Sequence, residues 1–188
     1  MKKTLFCAAY MLAAFAVTEW AQALPASEAR PESAAFVSES MAINKVLMIE
    51  KLANDCQTQF EHSRQKSSDE DELRRSLETE GRDRIDAILE EVKEPQELYT
   101  MAVLLNEGYG ELFESIHDRL LFFASEAVVL RLAALGTEEA YHYFIRLKQV
   151  YGTDGAGSLQ YRFLEFRYFK QYSEDPRVLQ AESEYEFI

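Results

Sequence analysis

Two Glu-x-x-His pairs are the sharpest chemical signal in this chain: Glu114 with His117, and Glu139 with His142. Residues three apart on a helix share a face, so each pair can aim a carboxylate and an imidazole at one ion. A di-iron carboxylate centre uses two such pairs plus a glutamate from each of two other helices. Helices predicted over 111–124 and 138–151 carry the pairs. The apolar segment between them offers only Glu126 as a further ligand. His142 shares a face with Arg146 and Gln149, which points it outward. His117 lies near Phe113 and Leu120, where a core histidine bonded to the backbone looks the same. Glutamate is abundant enough here for such pairs to arise by chance. A metal-dependent enzyme therefore stands as the alternative, and the expectation is no cofactor.

Other reactive patterns are missing from the sequence. There is no Gly-x-Ser-x-Gly, no paired-cysteine redox motif and no His-Glu-x-x-His. The loop Gly152-Thr153-Asp154-Gly155-Ala156-Gly157 has no Gly-Lys-Ser/Thr ending and no strand before it, so it is not a phosphate cradle. It reads as a turn and a contact loop. Cys56 sits among Val46, Ile49, Ala53 and Phe60 at helical spacing, as a buried thiol would.

The C-terminal segment points to recognition rather than reaction. Between Tyr161 and Tyr172, six of twelve residues are aromatic, interleaved with Arg162, Arg167 and Lys170. Phe163, Phe166 and Phe169 are expected to face the core, and Tyr161, Tyr168 and Tyr172 another side. Tyrosine and arginine dominate protein interfaces. Tyr161, Arg162, Tyr168 and Tyr172, with Tyr141 and Tyr143 from the preceding helix, therefore form a candidate partner-binding surface. The plainer arrangement buries both sides.

The elements that position these residues follow an export address. Lys2 and Lys3 precede an uncharged apolar run from Leu5 to Val17, closed by Ala21-Gln22-Ala23. That order marks a cleaved signal peptide over 1–23, and the run is shorter than the roughly 20 residues that span a bilayer. The expected product begins at Leu24 and works in the bacterial periplasm, or alternatively in the extracellular medium, with no stable membrane insertion. The whole chain carries a formal charge of −13. Removing 1–23 takes away Lys2, Lys3 and Glu19 and leaves 18 basic against 32 acidic side chains, a net −14. Such a surface repels nucleic acid and favours a basic partner. Only Cys56 survives processing, so no internal disulfide is available.

Residues 24–34, rich in Pro, Ala, Ser and Glu, read as a flexible leader. The rest, 35–188, reads as one domain in which the apolar period is helical almost throughout. Helices are predicted over 35–65, 69–93, from Pro95 to Gly108, 111–124, 125–136, 138–151 and 158–172, with one more turn in the tail. Gly81 is expected to bend or split the second. The wholly apolar AVVLRLAAL of the fifth must be central. The segment Ala133 to Val150 resembles a helical hairpin of HEAT-type repeats, once and over fewer than twenty residues. The expected fold is all-α: an irregular bundle, or a short stack of antiparallel hairpins, of six to eight helices.

The function this predicts is an exported, non-enzymatic protein-binding module of the envelope. In type it resembles immunity proteins, which are small, exported, acidic and built to occlude a toxin. An envelope scaffold and a secreted effector are the other readings. The oligomeric state stays open.

Overall fold

The computed structural model describes residues 32–65, 69–106, 114–152 and 155–180, the side chains of 32–37 and 155–157 excepted. The expected signal peptide, residues 24–31 of the leader, and Ser67, Gly108 and Phe113 lie outside the described residues. The chain divides into two compact units, Met1–Phe36 and Val37–Ile188, and nearly all described residues belong to the second.

The fold is all-α, with seven helices among the described residues. They are α1 Glu32–Ser63, α2 Glu70–Glu90, α3 Pro95–Asn106, α4 Ile116–Ala134, α5 Glu138–Tyr151, α6 Gly155–Phe169 and α7 Pro176–Gln180. No helix among them is long and apolar enough to cross a membrane. The ends follow local chemistry. Asp69, Ser115 and Thr137 each accept a hydrogen bond from the backbone N–H three residues on, at 2.9, 3.0 and 3.2 Å, which satisfies donors that a helix start leaves unpaired. Proline opens α3 and α7, where its missing N–H costs nothing. Gly136, at φ 62°, follows α4 in the left-handed conformation that an L side chain resists.

Several expected boundaries move; α6 starts at Gly155 and ends at Phe169 rather than spanning 158–172, so 155–157 of the expected loop are helical. The break predicted at Ser125 is absent, and α4 runs unbroken. Ser125 is buried and donates its hydroxyl proton back to Phe122 O at 2.8 Å, which lets a serine sit inside a helix. The same helix starts at Ile116, because Ser115 caps it and Gln57 Oε1 accepts from Ile116 N at 3.0 Å. Gly81 does not split α2, which runs unbroken from Glu70 to Glu90. It lies where α2 presses on α4, and a Cβ there would stand 2.6 Å from Leu120 Cδ1.

The central position expected for the apolar segment holds. Helix α4 packs against α2, α3, α5 and α6. Leu120, Ala124, Val128 and Leu132 are sealed inside, and burying each large side chain contributes about 1.5–3 kcal/mol. Helices α3 and α5 also touch, as do α5 and α6. Contacts between successive helices and between alternate ones make a two-layer stack of hairpins, with α2, α4 and α6 on one side and α3 and α5 on the other. Helix α1 contributes Val46, Ile49, Ala53, Cys56 and Phe60 to the core. It runs antiparallel to α2: Lys45 pairs with Glu91 at 3.1 Å, and the Arg74 guanidinium lies 5.1 Å from the Phe60 ring centre.

Candidate functional site

The α2–α4–α6 side of the stack contains a groove. Arg119 pairs with Glu78 at 3.1 Å, Arg82 lies over Phe123 at 5.1 Å, and Arg131 reaches Glu90 O at 3.0 Å. The rising numbers on both helices mean that α2 and α4 run parallel. Each hairpin reverses direction, so α6 runs the same way. Helices α2 and α6 then form two walls, and α4 the floor, of an open groove of about 700 Å³. Phe123, Ala127, Leu130 and Ala134 recur along the floor at three- and four-residue steps, with Leu89, Phe163, Leu164 and Tyr168 on the walls. Leu130 is 47 % exposed and Phe122, outside the groove, 39 %, in a helix whose remaining large apolar side chains are at least partly covered.

The polar groups of the groove are Asp86, Glu126, Arg131 and Gln160. Arg131 is committed to the end of α2, donating from Nε to Val92 O at 3.4 Å and from Nη2 to Glu90 O at 3.0 Å. That charge suits a helix C-terminus. Burial pushes the Glu126 carboxyl above its usual range, against the nearby Arg82 and a hydrogen bond with Gln160. Burial also raises Asp86, with repulsion from Asp83 and Glu90 adding and Arg131 opposing. Both are carboxylates short of positive charge in partly apolar surroundings.

A second polar cluster lies between α5, α6 and the segment before α7, and it is closed. Glu165 is 1 % exposed. Its Oε2 accepts from Lys148 Nζ, and its Oε1 accepts from Ser173 Oγ at 2.6 Å and Tyr141 Oη at 3.2 Å. Asp175 N in turn donates to Ser173 Oγ at 3.3 Å. Burial and the Glu165 charge raise the Tyr141 phenol. Such a satisfied network ties the chain after α6 to α5. A second buried carboxyl, Glu97 on α3, is 3 % exposed and its Oε1 has no hydrogen-bond partner. Burial raises it, and Lys45 works the other way.

Of the six residues expected to form one partner surface, Tyr141 and Tyr172 meet, and the others are spread over different environments. Tyr161 is buried against Phe144, with ring centres 5.3 Å apart, and burial drives its phenol far upward. Tyr141 stacks on Tyr172 at 5.8 Å beside Glu165. Tyr143 packs on Tyr99 at 5.0 Å. Arg162 bonds along its own helix to Ser158 Oγ at 3.2 Å. Tyr168 alone lines the groove, with Arg167 5.4 Å from its ring centre. The buried face of α6 is Tyr161, Leu164, Glu165 and Phe169. Phe163 and Phe166, expected inside, are only partly covered and lie beneath Arg167 and Lys170.

The Glu-x-x-His pairs are not brought into one donor set. Glu114 precedes α4, so the helical spacing that would align it with His117 is lost. His117 Nδ1 lies 3.1 Å from Asp118 Oδ1. His142 is 70 % exposed and lies 3.9 Å from Glu138. Among the described residues no three His, Cys, Asp or Glu side chains gather as a metal ion requires. Cys56 is buried, and burial with the Glu80 charge pushes its thiol up.

No family model matches the chain, and neither a curated protein nor a solved structure matches it significantly.

Proposed function

We propose that the protein is an exported, non-enzymatic binding module of the bacterial envelope. In this reading it grips and occludes another protein, as immunity and inhibitor proteins do. The observation that carries the reading is the open groove over α4, with Leu130 47 % exposed on its floor. Apolar surface of that kind, rimmed by polar groups, is what binding sites present to water. The export address of Lys2, Lys3, the apolar run and Ala21-Gln22-Ala23 supports an extracytoplasmic setting.

A photoreactive amino acid at Leu130 tests this, with a control at Leu47 on α1, which is equally exposed. In the native envelope the expected result is one defined adduct at Leu130 and none at Leu47. Equal labelling at both positions, or no adduct at Leu130, would reject the groove as a binding site. N-terminal sequencing of the same material is expected to read from Leu24.

A further inference from the structure

The groove has a shape and a charge, and together they describe its occupant. We propose that the groove receives a basic amphipathic helix of a partner protein, which sets a Lys or Arg side chain between Asp86 and Glu126 and an apolar side chain on Leu130 and Phe163. This rests on the binding function proposed above.

The shape argues for a helix. The floor is one straight helical stripe, Phe123, Ala127, Leu130 and Ala134, between two walls that run parallel to it. A channel between parallel helices is filled by packing one more ridge of helical side chains into it. From Phe123 to Ala134 the floor is about 17 Å long, or about three turns of a docked helix.

The charge argues for a basic one. Asp86 on the α2 wall and Glu126 on the floor face the groove, and Asp83 and Glu90 flank Asp86 on either side along α2. Three cations stand against them, and each is engaged. Arg131 is bonded to Glu90 O and Val92 O. Arg82 lies over Phe123, and Arg167 over Phe163 and Tyr168 on the opposite wall. A cation arriving between Asp86 and Glu126 relieves the repulsion along the α2 wall while its aliphatic stem covers the floor. The acidity of the whole chain, −13, speeds its approach.

The test uses two synthetic amphipathic helices of about three turns. Both carry leucines at three- and four-residue spacing. One has arginines beside the leucines, and the other has glutamates there. Binding to the full processed protein is read by fluorescence anisotropy. The arginine helix is expected to bind at least tenfold more tightly than the glutamate helix. Asp86→Asn with Glu126→Gln should weaken it at least tenfold. Asp55→Asn with Glu61→Gln, an equal loss of charge on the exposed side of α1, should change it less than twofold.

Equal binding of both helices, equal weakening by both double variants, or no binding of either overturns the proposal. Cross-linking at Leu130 separates this failure from failure of the binding function. An adduct there without arginine preference leaves a groove that docks a different kind of segment, and no adduct removes the docking function itself.

Discussion

The Glu165 cluster and the α4 groove both place carboxylates in apolar surroundings, and they differ in how fully the carboxylates are answered. Glu165 is buried to 1 % exposure, and Lys148, Tyr141 and Ser173 occupy its two oxygens. It has nothing left to offer a partner, and it fixes the C-terminal segment in place. Asp86 and Glu126 are only partly withdrawn from water, and burial leaves both carboxyls raised. The lesson concerns aromatic, charge-rich segments. One face of the segment densest in tyrosine and arginine is stapled shut through Glu165, while its other face, with Phe163 and Tyr168, walls the groove on the flank of the central helix.

The largest effect is expected at Lys148. Lys148→Ala leaves a buried carboxylate without its counter-charge, and about 3–5 kcal/mol of stability should be lost in urea unfolding. Replacing both Lys148 and Glu165 with Met should recover only part of that, because it removes the unpaired charge but takes the acceptor from Ser173 Oγ and Tyr141 Oη. A loss below about 1 kcal/mol would mean that the cluster is a surface pair. Tyr161→Ala comes next, at about 3 kcal/mol for an aromatic ring removed from the core. Tyr168→Ala, at the groove wall, should cost less than about 1 kcal/mol and should alter binding. Equal costs at the two tyrosines would erase the distinction between core and groove. Gly81→Ala should cost about 2 kcal/mol, since Leu120 is fully buried and cannot swing away from the new methyl group.

Much of the fold was legible because helices are written locally. The apolar period, Thr137, Gly136 and Pro95 place α3 and α5 with little help from the rest of the chain. Helix α4 was misread as two helices because Ser125 looks like a cap, and only burial shows its hydroxyl bonding inward to Phe122. The site was far less legible. Glu165 sits between Leu164 and Phe166 with no local sign that Lys148 and Ser173 meet it. The spacing from Tyr161 through Leu164 to Phe169 was the readable signal for the buried face of α6, and counting every third aromatic obscured it. The groove depends on which flank of α4 its neighbours leave uncovered. An all-round apolar segment says that a helix is central, and it does not say where the cover stops at Leu130.

The smallest effect decides most about the groove. Burial raises Glu126, with Arg82 and Gln160 opposing, so the folded protein holds that proton more tightly than the unfolded chain does. Protonated, the group favours folding; ionised, it opposes it. The wild-type protein therefore loses stability as pH rises from the ordinary glutamate value through the raised folded one. Glu126→Gln removes the loss. Solvent screens so exposed a group, so the expected gain at neutral pH is under about 0.5 kcal/mol, fading below about pH 4. Thermal unfolding across that range measures it. Glu165→Gln, the same isosteric change, should destabilise at neutral pH, because it strips the counter-charge from Lys148. Opposite signs would separate a staple from a carboxylate that awaits a partner. If Glu126→Gln also destabilises, the groove carboxylate is structural, and the case for a basic occupant loses its electrostatic ground.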